Sequence, residues 1–321
     1  MRSGPWPHRP ERESVLQGNA AHNPAAQAVP LLMLLVLGTN WGLSFTLGKV
    51  GVTGGLHPLS YAFWQCFGGG VVLLAICLSR RLLPPVKWTH LRYYFICGAT
   101  NVALPNFFVL TAARHIPIGI IVLLISLTPL VTYAVALTFG LDRVTPRRLA
   151  GLVVGLFGTL MILVPKSSLP SPDDVHWVLF ALITPFCYGL SNVYLGWARP
   201  PDVPSLALGG AMQFTAGVVL LPVAFLIGTV HVPFPPQTNA EIANVSHIAL
   251  SAFGALVFFE LIRMRGPVVA SQVGYIVCLS GVFWGKLFFG EQHSLWVWAA
   301  MATIFTGLAL VTWRARKPAA A

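Results

Sequence analysis

Residues Ile116–Phe139 read IPIGIIVLLISLTPLVTYAVALTF, a stretch with no charged side chain and no alternation of apolar with polar positions. At 1.5 Å of rise per residue, a helix of this length covers the roughly 30 Å of bilayer hydrocarbon. Without a period-2 pattern it is not a barrel strand. Nine comparable segments flank it: Pro30–Val50, Leu59–Ser79, Leu91–Ala113 and Arg147–Val164, then His176–Trp197, Ser205–Gly228, Ser246–Ile262, Pro267–Phe289 and His293–Trp313. The expectation is an all-α membrane protein of ten transmembrane helices.

Composition agrees. Of 321 residues, 56% are hydrophobic and 9% charged, and the mean hydropathy is +0.74. A soluble domain carries about 25% charged residues to wet its surface. The net charge of +11 would favour nucleic acid in a soluble protein, but here the basic residues are scattered over short polar stretches and form no phosphate-tracking groove. Cys66, Cys77, Cys97, Cys187 and Cys278 all lie in apolar stretches without metal or disulfide spacing. Residues 1–29, polar and proline-rich, lack the apolar core of a secretory signal. They read as a disordered cytoplasmic tail, with a second short tail at 314–321.

With the N-terminus inside, the cytoplasmic side receives Arg2, Arg9, Arg12, Arg80, Arg81, Lys87, Arg92, Arg143, Arg147, Arg148, Arg199, Arg263, Arg265, Arg314, Arg316 and Lys317. The outside receives Lys49, Arg114 and Lys166, and Lys286 falls near the outer end of a span. That is a strong positive-inside bias. It puts both termini in the cytoplasm.

The chain repeats itself. Gly42-Leu43-Ser44 recurs as Gly189-Leu190-Ser191, and the run Gly70 to Leu74 as Gly217 to Leu221, both offset by 147 residues. Pro117 and Phe139-Gly140 recur as Pro267 and Phe289-Gly290, offset by 150. The two units, 30–165 and 176–313, each hold five spans. An odd number turns the second upside down, and such inverted repeats are a mark of secondary transporters.

These features resemble the drug/metabolite transporter superfamily, specifically proteins with two EamA domains. The resemblance covers nearly all of Pro30 to Trp313. It is carried by Trp41-Gly42-x-x-Phe45, Pro129 in the fourth span, Phe289-Gly290-Glu291 ending the ninth, and the ten-span order. Two positions depart from the family pattern: Gly140-Leu141-Asp142 stands where Gly-Glu is usual, and Gln65 where many members have arginine. The resemblance implies export or exchange of amino acids, other metabolites or toxic compounds across a bacterial inner (plasma) membrane.

A polar side chain at membrane depth faces the bundle interior or a wet cavity, because lipid cannot satisfy it. The candidate substrate-binding residues are Asn40, Trp41, Ser44, Gln65, Asn101, Asn106, Tyr188, Asn192, Gln213, Gln272 and Tyr275. Aromatic faces with neutral donors and acceptors suit a neutral, zwitterionic or amphipathic solute. The competing reading of each residue is helix–helix hydrogen bonding. Glu260 reads either as a boundary ion pair with Arg263 or as a proton-coupling or substrate-amine site. Lys286 either snorkels to the interface or closes an outer gate with Glu291. Gly151, Gly155 and Gly158 suit close helix packing, inside the bundle or in a homodimer.

No cofactor or metal is implied, and the partners expected are the solute and membrane lipids, not nucleic acid. A membrane-embedded enzyme needs clustered acids, histidines or a nucleophile–base pair at depth. No HExxH, GxSxG or paired aspartate is present. A non-transporting sensor or scaffold is the third reading. For the orientation, cysteine probes in the Lys166–Asp174 and Val232–Ala240 loops are expected to react with an impermeant thiol reagent added outside. Reaction at Arg80–Lys87 instead would reverse it.

Overall fold

The computed structural model describes residues 24–140, 144–162, 174–265 and 273–312. Gln272, the side chain of Tyr275, most of the two tails and the Leu141-Asp142 departure lie outside the described residues. Among the described residues all regular structure is helical. In chain order the elements are α1 (Pro24–Thr53), α2 (Pro58–Ser79), α3 (Trp88–Cys97), a π turn (Gly98–Ala103), α4 (Leu104–Ala112), α5 (Ile118–Ile125) and α6 (Thr128–Thr138). There follow α7 (Pro146–Ile162), α8 (Val175–Trp197), α9 (Ser205–Leu226), α10 (Asn239–Arg265), α11 (Val273–Phe289) and α12 (Leu295–Thr312).

Seven stretches among the described residues are long and apolar enough to cross a bilayer: Val29–Thr53, Pro58–Ser79, Trp88–Ala112, Ile118–Thr138, Val175–Trp197, Ser205–Leu226 and Asn239–Leu261. Shorter apolar stretches lie at Ile276–Phe289 and Leu295–Gly307. Two of the seven are interrupted, and proline explains both. Pro105 has no N–H and its ring crowds the carbonyl four residues back, on Asn101. The helix widens there into a π turn, a usual response to such a block. Pro129 does the same to Ile125, and the rod breaks between α5 and α6. The Thr128 hydroxyl donates to the freed Ile125 carbonyl at 2.7 Å, and Ser126 Oγ to the Leu123 carbonyl at 2.6 Å.

Most of the helix packing joins the first half of the chain to the second. Helix α1 packs on α10 and α11, α2 on α9 and α10, the α3–π–α4 rod on α8 and α9, the α5–α6 rod on α8 and α11, and α7 on α12. Replacing each rod by its counterpart in the other half leaves this set unchanged. The equivalence reaches single residues. Gly70 lies against the backbone of Phe214, and Gly217 against that of Phe67; both pairs are related by the 147-residue offset. Gly42 abuts Gly281 as Gly189 abuts Val131.

Lipid gives helices no hydrophobic reason to associate, so close van der Waals approach over small residues is the main attraction. At Gly217 a Cβ would lie 2.8 Å from Phe67 Cα, too near to be accommodated without separating α9 from α2. The same logic accounts for Gly155 and Gly158, which meet Leu130 of α6 and Ile304 of α12. In the described chain these glycines therefore pack inside the bundle. The substitutions Gly70→Val and Gly217→Val are each expected to destabilise the detergent-solubilised protein by about 1–3 kcal/mol through overpacking. Gly196→Ala, where no atom lies near the missing Cβ and the backbone is helical, provides a control free of steric clash. Thermal unfolding of the three variants checks this.

Candidate functional site

Where α2, α4, α8, α9 and α10 converge, neutral polar groups from both halves meet. Gln65, buried on α2, donates from Nε2 to Ser251 Oγ of α10 at 2.7 Å. Its Oε1 lies 3.3 Å from Cys66 Sγ, which in turn lies 3.7 Å from Asn106 Nδ2 of α4. Gln213 of α9 enters the same place over Gly69, whose missing Cβ leaves room for the amide. Half-buried Tyr188 of α8 lies within electrostatic reach of Cys66.

One turn along α10, Gly254 faces the Asn40 side-chain oxygen and the Trp41 indole nitrogen of α1. Trp41 leans on Phe258 with ring centroids 5.3 Å apart. Asn40 Oδ1 is buried without a hydrogen-bond partner, an arrangement that native interiors mostly avoid. Asn40, Gln65, Tyr188 and Ser251 all fall away from the ends of their helices. The result is a continuous seam of amides, hydroxyls, a thiol and two large rings at membrane depth, with no charged group among the residues named.

The other candidates separate from this seam. Ser44 is buried, but its hydroxyl is bonded to the Asn40 carbonyl at 2.9 Å, which is the packing role. Asn101 is half-buried in the π turn. Asn192 is exposed, with Nδ2 at 3.4 Å from Thr132 Oγ1 on α6; Ser191 beside it takes the buried face of α8 with Thr184. Glu260 is half-buried near the end of α10 and interacts with its surroundings; the Arg263 side chain lies outside the described residues. Lys286 is exposed on the last turn of α11.

Glu291 pairs with Lys49 rather than Lys286. Lys49 Nζ lies 2.7 Å from Glu291 Oε1, with the two side chains 13% and 6% exposed. The same carboxylate accepts from the N–H groups of Ile118 at 2.8 Å and Gly119 at 3.2 Å, capping α5 where the helix dipole favours an anion. His293 Nε2 stands 3.7 Å away, and Lys49 also donates to the Ile116 carbonyl at 3.3 Å. Sequence reading missed this pair because its members are 242 residues apart. At the opposite end of the bundle, His90 Nε2 lies 3.2 Å from both oxygens of Asp202. That hydrogen bond holds the Asp202 carboxyl below its ordinary value.

Two stretches, 29–164 and 175–313, each match the EamA-like transporter family. The chain belongs to that family. It is accordingly a multi-pass membrane protein of the drug/metabolite transporter superfamily with two EamA segments. Among curated proteins, this EamA chain is 28% identical over 258 residues to Protein PecM of Dickeya dadantii (strain 3937), covering 79% of this chain and 82% of PecM. It is 22% identical over 306 residues to YvbV of Bacillus subtilis (strain 168), described as an uncharacterized transporter, covering 93% and 95% of the two chains. A crystal structure of another protein superposes with a TM-score of 0.58 at 18% identity, over 88% of this chain and 96% of that one. At that identity the likeness is one of fold.

Removing one partner of a buried ion pair leaves the other charge uncompensated, a loss of about 3–5 kcal/mol. Glu291→Ala is therefore expected to lower the thermal midpoint strongly. Glu291→Gln, which keeps an oxygen for the α5 cap, should lose less, and adding Lys49→Met to it should restore part of the difference. A double-mutant cycle by thermal unfolding measures the coupling.

Proposed function

We propose that this protein carries a small neutral, zwitterionic or amphipathic solute, such as an amino acid or an amphipathic compound, by alternating access across a bacterial inner membrane, as an exporter or exchanger. The observation that supports this most is the seam around Gln65 and Ser251. It joins the two halves at membrane depth through neutral groups, where a solute would replace protein–protein hydrogen bonds with its own. Apolar walls beside a few polar groups are the usual make-up of a small-molecule site.

The same reading takes the ten helical rods as ten spans, both termini cytoplasmic, with the halves inverted about an axis in the membrane plane. The exchange-invariant helix pairing supports a two-fold relation, and five rods per half support the inversion. Rocking one half against the other would then expose the seam to each side in turn. On this view Lys49–Glu291 is the outer gate: it ties the ends of α1 and α11 to the start of α5, and opening outward has to part them. Under the 147-residue offset the counterpart of Lys49 is Gly196, so the lysine of this gate is not repeated at the inner end.

The test is flux. Purified protein is first screened by thermal shift against amino acids, nucleosides and amphipathic amines, since a bound ligand raises the melting temperature by mass action. Hits are then followed into proteoliposomes. Trp41→Ala and Tyr188→Ala should lower flux while insertion and purification stay normal. Loss of the Gln65 amide in Gln65→Leu should weaken binding by about 1–3 kcal/mol, roughly 5- to 150-fold. Unchanged flux in all three variants would place the pathway elsewhere.

A further inference from the structure

Helix α10 carries an ionisable side chain that belongs to neither the seam nor the gate. His247 lies one turn before Ser251 on the same face and is buried, 6% exposed. Its Nδ1 is 3.1 Å from the hydroxyl of Tyr61 on α2, and Tyr61 itself is buried. The Tyr61 oxygen also stands 3.3 Å from the Ala243 carbonyl. A phenol has one proton and a carbonyl only accepts. When the phenol donates to Ala243, its lone pairs receive Nδ1–H, and the imidazole is left with Nε2 free to take a second proton. The contact with Tyr61 therefore serves the neutral ring and the imidazolium without rearrangement.

A second observation points the same way. Asn244, one turn before His247 on that face, is fully buried; its Nδ2 donates to the Tyr61 carbonyl at 3.0 Å, but its Oδ1 has no hydrogen-bond partner. An unsatisfied acceptor beside a buried imidazole is a place for a donor that this conformation does not hold. A route from water begins at the start of α10, where Glu241 Oε1 meets Nε2 of His231 at 2.6 Å, the His231 side chain being 51% exposed. Glu241, Asn244, His247 and Ser251 recur at helical spacing toward the seam.

We infer that His247 is a proton-binding site, and that the proton it takes and releases is the coupling ion of the transport proposed above. The inference rests on that reading for the coupling, though not for the proton. Ionisable residues inside a membrane protein commonly mark proton relays, because nothing else offsets the penalty of placing them there. An imidazolium needs water or an anion at hand. Among the described residues, the elements packed on α10 are α1, α2 and α9. Helix α1 offers Lys49, α9 has no titratable side chain, and α2 offers Tyr61, Cys66 and Cys77. On α10 itself Glu241 stands near the start and Glu260 near the end. Proton uptake at Nε2 therefore accompanies entry of water along this face of α10 with the Tyr61 contact kept, the same opening gives water access to Gln65 and Ser251, and one equilibrium serves both ligands.

The proton is tested without a solute. The full chain, labelled with ¹⁵N-histidine in lipid nanodiscs, is titrated from pH 8 to 4.5, and the His247 signal is identified by its loss in His247→Gln. A reversible neutral-to-imidazolium transition is expected, with a midpoint lowered in Tyr61→Phe by roughly tenfold in proton concentration or more, because a hydrogen bond to the charged ring is gone. A ring that stays neutral throughout while the fold is intact overturns the site. Coupling is read in proteoliposomes under a pH gradient, with ethidium and radiolabelled amino acids as probes. His247→Gln should keep downhill exchange and lose gradient-driven accumulation; retained accumulation overturns the coupling. If the wild type moves no probe, the transport reading is at fault, and the titration still decides the proton site.

Discussion

The rest of the bundle depends on how closely α2 and α9 approach. Gly70 and Gly217 let each helix rest on the backbone of the other at Phe214 and Phe67. In lipid this contact has no hydrophobic competitor or helper, so its strength is the dispersion energy of atoms brought near, and one methyl group would remove much of it. That crossing brings Gln213 within reach of Gly69, and α10 packed on α2 adds Ser251 opposite Gln65. A central polar seam is possible because two glycines precede it.

Hydrogen bonding then divides the polar residues into two groups. Ser44, Thr46 and Thr159 direct their hydroxyls to the carbonyl four residues back on their own helix. That removes their need for water and makes them behave as packing residues. Gln65 and Ser251 reach across helices, Asn106 divides its amide between the Val102 carbonyl four residues back and Cys66 of α2, and Asn40, Thr184, Ser191 and Asn244 retain buried atoms with no partner. Fold stability alone accounts for the first group. The second group carries the energetic penalty expected of a site that exchanges partners.

Charge is arranged by the same rule. The seam is neutral, whereas the Lys49–Glu291 pair sits where α1, α5 and α11 end or begin, close enough to the helix terminus to use its free N–H groups. Three hydrogen bonds on one carboxylate, from Lys49 and the N–H groups of Ile118 and Gly119, offset its burial, which a lone ion pair at membrane depth would not achieve. The Pro105 and Pro129 interruptions fall in the α3–α4 and α5–α6 rods that pack beside the seam.

Much was decided by the residues in order. Apolar run length and charge scarcity made the chain helical and membrane-bound, since every backbone polar group in lipid must be satisfied within its own helix. The 147-residue offset already related Gly70 to Gly217, the two glycines at the α2–α9 crossing, and Trp41, Gln65, Asn106, Tyr188 and Gln213 stood out as polar or aromatic groups at depth. Tertiary structure decided which face each residue presents. Asn192 and Ser191 are neighbours in sequence, yet Ser191 is buried and Asn192 exposed, because the rotation of α8 is set by Gly189 against Val131. Ser251 and His247 gave little signal within an apolar helix until Gln65 and Tyr61 stood opposite them. Lys49 and Glu291 could not be joined by any local pattern, since a charge at a helix end chooses its partner through space.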